Sequence, residues 1–459
     1  MQFLDEIFSA SEIASDAESL AHWGRDWTRD KAPAPAAIVF PRDVDQVQAL
    51  VRRARETGTA LVPSGGRTGL SGGAVASNGE VVVSFDKMNR ILDYNQTDRM
   101  LRVEAGVVTG AIHAFAAERD LMYPVDFASS GSSHIGGNIA TNAGGIKVIR
   151  YGLTRDWVTG LKVVTGAGEV LDCNRGLTKN ATGYDLRHLF VGSEGTLGLI
   201  CEAELRLARA AEPQRVMVLG VAEFADLLKV LACYQGRLTL SAFEFFSQLA
   251  LDKVRAHRDL AAPLAEPSAF YALLEFDARE EEAGMAAFEA CVGEGWVADG
   301  VMSQSEAQAA SLWQLREGIS ESIASYTPYK NDLAVKVSAL PDFLDDVTAC
   351  VAESYPDFEV CWYGHIGDGN LHLNILKPAE LTIEEFYANC GAISPQIFEF
   401  VARAGGSISA EHGVGTLKRD YLHYSRDASQ LAALRALKGV FDPDGILNPG
   451  KLLSQELTA

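Results

Sequence analysis

Polar and apolar positions alternate with a period of two near residue 370. Asn370, His372 and Asn374 interleave with Leu371, Leu373 and Ile375. A strand here carries three polar side chains on one face and three apolar ones on the other. The preceding run FEVCWYGHI is strand-like too. Gly367, Asp368, Gly369 and Asn370 lie between the runs and predict a hairpin turn. A four-residue loop sets Ile366 opposite Leu371 and His365 opposite His372, with Cβ atoms roughly 4.5–5.5 Å apart. Such a histidine pair reads either as two ligands of one metal ion or as two hydrogen-bonded strand histidines. Downstream, SISAEHGVG places Glu411 and His412 after a short strand-like run and before a glycine turn. Two His and one Glu leave an open metal position, the pattern of a catalytic site, with His412 beside it to take a proton. The alternative is a Glu–His ion pair capping a loop.

The same periodicities divide the rest of the chain. Residues 1–32 form a polar, partly helical arm, and 38–40 a strand. Val44, Val47, Leu50, Val51 and Ala54 recur at helical spacing between an Asp43 N-cap and a Gly58 C-cap. A short strand follows at 61–63. Segments 81–85, 91–94 and 100–104 read as a strand meander, 107–118 as a helix, and 161–164 with 170–172 as a hairpin. After Leu207 the run ARAAEPQ marks a boundary. Beyond it, strands at 216–221, 270–276 and 333–337 accompany helices at 223–234, 280–291 and 341–354. That mixture predicts an α+β cap. Segment 383–404 reads as a helix interrupted near Pro395. The helix-like LAALRALKGV precedes a Pro/Gly turn, FDPDGILNPGK.

Two glycine-rich stretches break these patterns. PSGGRTGLSGG holds Pro63, Gly65, Gly66, Arg67, Thr68 and Gly69, then Gly72 and Gly73. Glycines let the backbone approach a ligand and turn N–H groups onto phosphate oxygens. No Gly-Lys-Ser/Thr follows, so this is not a P-loop. The second stretch, SSGSSHIGGNIATNAGG, offers Ser129, Ser130, Gly131, Ser132, Gly136, Gly137, Asn138, Thr141, Asn142, Gly144 and Gly145. It is a donor-rich surface suited to a pyrophosphate and a polar heterocycle. His134 within it reads as a hydrogen-bonded loop histidine. SEGTLGLI adds a tight turn with Glu194 and Gly195. Gly293, Gly295 and Ala298 fit a dinucleotide fingerprint but follow a helix-like segment, so no nicotinamide site is predicted.

Composition narrows the partners. The chain has 459 residues, 47% hydrophobic, with a net charge of −21. That length suits two or three domains, and that charge argues against nucleic acid or an anionic membrane surface. No run approaches the roughly 18 apolar residues of a membrane span, and the N-terminus lacks a signal pattern. A cytoplasmic protein without a transmembrane segment is expected, compatible with a homodimer. The seven cysteines are scattered without a CxxC. Neither an iron–sulfur cluster nor a zinc knot is encoded, so electrons must leave by another route.

In order, PSGGRTGLSGG, YPVDFASSGSSHIGGNIATNAGG, GSEGTLG, LWQLREGI, GHIGDGNLHLN, SAEHGVG and DPDGILNPGK span most of the chain. Together they resemble the FAD-linked D-2-hydroxyacid dehydrogenases of the vanillyl-alcohol-oxidase superfamily. The resemblance implies an α+β fold: an FAD-binding domain over 1–210, a cap with the metal site over 211–420, and a C-terminal segment, 421–459, completing the first domain. It implies that both glycine-rich stretches, the Glu194–Gly195 turn and Asn448 bind FAD. Arg67 stands where covalent relatives tether the flavin, so FAD is expected to be non-covalent. His365, His372 and Glu411 are similar to the family's metal ligands, His412 to its proton acceptor, and Asn374 to its substrate-side amide. Zinc is the first expectation for the metal, ahead of manganese or cobalt.

Substrate choice falls to the cap. Arg316 and Ser320 lie four apart on one helical face, and YKND supplies Lys330. These groups suit a second carboxylate, and the set looks like that of D-2-hydroxyglutarate dehydrogenases. The resemblance thus implies oxidation of D-2-hydroxyglutarate to 2-oxoglutarate, with electrons passing to an electron-transferring flavoprotein or a quinone. The alternatives are a D-lactate dehydrogenase, a glycolate oxidase flavoprotein subunit, or a non-catalytic electron-relay subunit.

Overall fold

The computed structural model describes residues 1–28 and 31–454. Residues 29–30 of the expected arm and 455–459 of the expected tail lie outside the described residues. The chain divides into two compact units. The first comprises Met1–Gly144, Gly152–Ala210 and Glu411–Ala459, the second Gly145–Tyr151 and Ala211–Ala410. The return to the first unit therefore comes at Glu411, earlier than the 421 expected, because Val414 and Gly415 donate their N–H groups to Glu194 of that unit.

The first unit contains two larger sheets. One orders its strands as Ile13–Ala14, Ala37–Val39, Val81–Ser84 and Leu61–Ser64, the last three parallel. Parallel strands are buried on both faces, which is why Ala37–Val39 and Val81–Ser84 are buried at every position rather than alternately. Helix Val44–Thr57 connects two of them. Asp43 caps it by accepting the Gln46 N–H at 2.9 Å, and Gly58 ends it in the left-handed region. The other sheet is antiparallel, in the order Ile91–Asn95, Met100–Glu104, Gly198–Arg206, Val158–Thr165 and Val170–Cys173. The expected three-strand meander is thus split: Val81–Ser84 belongs to the parallel sheet, and a 3-10 turn, Phe85–Lys87, carries the chain across.

Two distant segments stitch this unit. The N-terminal arm binds the first glycine stretch, with Trp27 N–H on Gly69 O at 3.0 Å and Ala76 N–H on Gly24 O at 2.9 Å. The C-terminal segment lies along Leu61, whose N–H meets Ile446 O at 2.8 Å and whose carbonyl takes Asn448 N–H at 2.7 Å. From helix Ala428–Phe441 the buried Lys438 ammonium donates to Thr196 O, Leu447 O and Asp442.

The second unit is built on a seven-stranded antiparallel sheet. Its order is Asp299–Met302, Gln214–Val221, Phe270–Asp277, Leu240–Ser247, Glu359–Gly364, Asn370–Leu376 and Tyr329–Ala334. Strand Leu240–Ser247 lies at its centre and was not foreseen. The strand expected at 333–337 runs instead from Tyr329 to Ala334, because a 3-10 turn, Val337–Ala339, already leads into helix Leu340–Ser354. Helices Gln248–His257 and Glu306–Glu317 help bury an apolar cluster that includes Val218, Phe246, Leu273, Trp313 and Ile319. Helix Ile383–Arg403 passes through Pro395 without a break. In the turn before the proline, Tyr355 Oη donates to Asn389 O at 3.0 Å and Ser394 Oγ to Cys390 O at 2.8 Å.

Gly145–Tyr151 extends from the second glycine stretch into this unit. Lys147 pairs with Glu275 at 3.0 Å, and Arg150 with the buried Asp277 at 2.7 Å.

Candidate active site

In the first unit the glycine stretches line a cavity. Its lining includes Pro63, Gly65, Gly66, Arg67, Thr68, Gly69, Gly136, Gly137, Asn138, Thr141, Glu194, Gly195 and Asn448, as well as His412. Ser129, Ser130, Gly131, Ser132, Asn142 and Gly144 do not line it, and Gly145 belongs to the second unit. The serines form a turn closed by bonds such as Ser132 N–H to Ser129 O at 3.0 Å, while Asn142 ends helix Ile135–Thr141 and accepts Arg155 N–H at 3.1 Å.

Packing explains the glycine at 66. A Cβ there would lie 2.2 Å from Ser132 O, so the two stretches meet only because Gly66 has no side chain. His134 is buried in the cavity wall. Its Nδ1 has no hydrogen-bond partner among the described residues, and burial pushes its pKa down. The expected hydrogen-bonded loop histidine is therefore a wall residue. Arg67 adopts a left-handed backbone and is neutralised by Asp86 at 3.3 Å.

Asn448 Nδ2 ties Gly73 O at 2.9 Å to Glu194 O at 2.7 Å, leaving Oδ1 without a partner among the described residues. Burial pushes the Glu194 pKa up, although Val414 and Gly415 each donate to its carboxylate at 2.7 Å. Phe85, Leu199 and Ile200 add apolar wall. Buried polar atoms without partners beside a flat apolar surface fit a polar heterocycle with a charged tail.

In the second unit one sheet face turns from apolar to polar toward its last strands. The hairpin register differs from the expected one. Tyr363 pairs with His372, and Trp362 with Leu373. The loop is longer than the four residues assumed. Asp368 and Asn370 both donate their N–H to His365 O, at 3.2 and 3.1 Å. Gly369 turns at φ +90, where a Cβ would lie 2.1 Å from Val335 O. The shift is of two positions, so it preserves the face. His365 and His372 become diagonal neighbours, with ring centroids 5.3 Å apart and nearly perpendicular. A ring nitrogen of one lies within 4.8 Å of one of the other.

Each histidine has a carboxylate at Nδ1. Glu244 lies 2.9 Å from His365 Nδ1 and Asp332 3.7 Å from His372 Nδ1. Asp332 is itself fixed by Asn370 Nδ2 at 2.9 Å and by Ala410 N–H at 3.1 Å. Neither carboxylate was predicted. Asp332 sat within YKND next to the nominated Lys330, and Glu244 sat in an unrecognised strand. Carboxylates on Nδ1 are the usual support of metal-bound histidines, so this donor set fits a divalent ion. Glu411 begins the last segment of the first unit, one residue beyond Ala410.

Arg316 is buried, its guanidinium 4.7 Å from the Tyr363 ring centroid and its Nη2 2.8 Å from Glu244 Oε2. That ion contact is poorly aligned, and neither Nε nor Nη2 makes a hydrogen bond among the described residues. The expected single helix breaks at Gly318, so Arg316 ends Glu306–Glu317 and Ser320 lies in Ile319–Ser322. Ser320 accepts from Lys330 Nζ at 3.0 Å. Lys330 is exposed overall, yet desolvation holds its ammonium below the usual lysine range. Asn374 is buried and donates to His372 O at 3.2 Å. Tyr363, which faces Ser320 and Asn374, was missed; burial raises its pKa.

A model of the C-terminal domain of FAD linked oxidases matches residues 210–452, and an FAD binding domain model matches 35–174. The chain is 56% identical over 454 residues to a D-2-hydroxyglutarate dehydrogenase of Stutzerimonas stutzeri (strain A1501), covering 98% of each. It is 38% identical over 449 residues to the mitochondrial D-2-hydroxyglutarate dehydrogenase of Bos taurus, covering 96% of this chain and 81% of that one. Among solved structures, substrate-bound p-cresol methylhydroxylase matches with a TM-score of 0.77 at 16% identity, over 99% of this chain and 96% of that one. Alkyldihydroxyacetonephosphate synthase matches with a TM-score of 0.73 at 16% identity, over 98% and 85%. The fold is of the vanillyl-alcohol-oxidase type, with mixed helices and sheets.

Proposed function

The chain belongs to the FAD-linked oxidases, in the family of the D-2-hydroxyglutarate dehydrogenases, and from this we propose that it oxidises D-2-hydroxyglutarate to 2-oxoglutarate with the help of a divalent metal ion. It is an FAD-dependent oxidoreductase acting on the CH–OH group of a hydroxyacid. One observation carries the substrate reading. Arg316 is a buried guanidinium whose Nε and Nη2 make no hydrogen bond among the described residues. An anion there satisfies them, and a dicarboxylate supplies one at the end remote from the reacting carbon.

Pro63 to Gly69, Gly136 to Asn138, Thr141 and the Glu194 turn hold FAD without a covalent bond; Arg67, at the tethering position, cannot form one. His365 and His372 hold the metal, with Glu411 as third ligand. Support for Glu411 is the likeness of its motif, SAEHGVG, to that of the family. Bound FAD supplies the hydride acceptor, and a bound dication supplies a Lewis acid for the C1 carboxylate and the 2-hydroxyl. His412 takes the hydroxyl proton. Arg316, Ser320 and Lys330 hold the distal carboxylate, and Asn374 meets the substrate from the strand that also carries His372. This fixes the C2 hydrogen in one orientation. The described cysteines form no disulfide and no CxxC exists, so reoxidation falls to an external acceptor, an electron-transferring flavoprotein or a quinone.

Dye-coupled turnover of FAD- and metal-loaded protein against D- and L-2-hydroxyacids tests the assignment. D-2-hydroxyglutarate is expected to have the highest kcat/KM. A preference for D-lactate overturns the dicarboxylate reading, and full activity of rigorously metal-free protein overturns the metal role. Acid precipitation is expected to release intact FAD; flavin retained on the polypeptide overturns the non-covalent assignment.

A further inference from the structure

Glu244 touches both halves of the proposed site. It lies on Leu240–Ser247, beside Phe245, which pairs with Gly364 across the ladder. Continuing that antiparallel register sets Glu244 beside His365. The carboxylate straddles His365 Nδ1, at 2.9 Å from Oε1 and 2.8 Å from Oε2. Oε2 also lies 2.8 Å from Arg316 Nη2. The Glu244 side chain is 1% exposed and that of Arg316 6%.

We propose that Glu244 is a positioning residue that fixes the metal-binding tautomer of His365 and the plane of the Arg316 guanidinium together. This rests on the metal and dicarboxylate reading given above. An anionic acceptor at Nδ1 keeps the proton there and presents Nε2 as the lone-pair nitrogen. On the other side, Oε2 lies 2.8 Å from Nη2 as an ion contact without a hydrogen bond, while the Tyr363 ring lies under the guanidinium. The ion contact and the ring restrain the plane, and Nε and Nη2, which make no hydrogen bond among the described residues, are left for the substrate. Glu244 also offsets the Arg316 charge, so the buried cation persists when no substrate is bound.

The test is Glu244→Gln in the FAD-loaded protein, which keeps size and shape but removes the charge. Two quantities are read. Zinc affinity of the metal-stripped holoprotein, by competition with a chromophoric chelator, is expected to weaken on the order of 10- to 100-fold. KM for D-2-hydroxyglutarate at saturating zinc is expected to rise about tenfold, while KM for D-lactate, which has no distal carboxylate, changes far less. A general structural defect moves both KM values and the FAD content alike. Wild-type zinc affinity in the variant, or an unchanged ratio of the two KM values, overturns the proposal. A wild type that binds no zinc overturns the metal reading and this proposal with it. A wild type that binds zinc while Glu244→Gln matches it overturns Glu244 alone. Should Glu244→Gln not retain FAD, Glu244→Asp is read in the same assays by the same criteria.

Discussion

At the scale of single residues, the proposed substrate site rests on charge without a matching hydrogen bond. Arg316→Ala deletes the buried cation proposed to hold the distal carboxylate. Hydrogen bonds to charged groups contribute roughly 1.5–3 kcal/mol, so kcat/KM for D-2-hydroxyglutarate is expected to fall on the order of ten- to a hundredfold. D-lactate turnover should change much less, and equal proportional losses would count against a distal role. His372→Ala should abolish turnover while the flavin absorbance stays in place. It removes a ring that Asp332 supports, in a unit separate from the flavin cavity. Glu12 gives a different kind of test. The Ser9 N–H and then Arg42 hold its carboxyl down at about 2, against an ordinary 4.5. Its pKa is depressed in the folded state, so its contribution is full above 4.5 and lost as pH falls toward 2. Melting curves of wild type and Glu12→Gln should be separated at neutral pH and converge in acid; a constant gap would refute the linkage.

At the scale of elements, strand pairing decided what the chain alone could reveal. The alternation at Asn370–Leu376 was legible because side chains point to opposite faces whatever the partner. The register was not, because the loop closes on Val335, which is distant in sequence. Gly369→Ala tests that closure. Its φ of +90 and the 2.1 Å approach to Val335 O make the substitution destabilising by at least roughly 1–3 kcal/mol, measured by denaturant unfolding. Glu244 was invisible for a related reason. Its run, LSAFEFFS, reads as apolar, and its partner His365 is 121 residues away. The motifs gave His365 and His372; only the ladder supplied the carboxylates behind them. Both glycine stretches contribute to one cavity wall, although residues 129–132 of the second form a turn that does not line it. Pro395 misled in the opposite direction, since helix Ile383–Arg403 continues through it.

At the scale of the whole molecule, the chain passes between units at 144/145, 151/152, 210/211 and 410/411. Neither unit is one continuous piece. Residues 211–410 expressed alone lack Lys147 and Arg150, leaving Glu275 and Asp277 without those partners. Losing one partner of a buried pair typically costs about 3–5 kcal/mol. The excised piece should therefore unfold at lower denaturant than a version with residues 145–151 supplied in trans, and equal midpoints would show the segment to be dispensable. The bridge between Leu61 and Leu447 has a consequence in time. Synthesis runs from the N-terminus, and domains fold as they emerge. Leu61 leaves the ribosome long before the residue that lies beside it. The cap sheet, complete once Asn370–Leu376 has emerged, forms while the first unit still waits for its final segment. A message truncated just before Leu447 should therefore yield a folded cap on a nascent chain whose nucleotide cavity never closes.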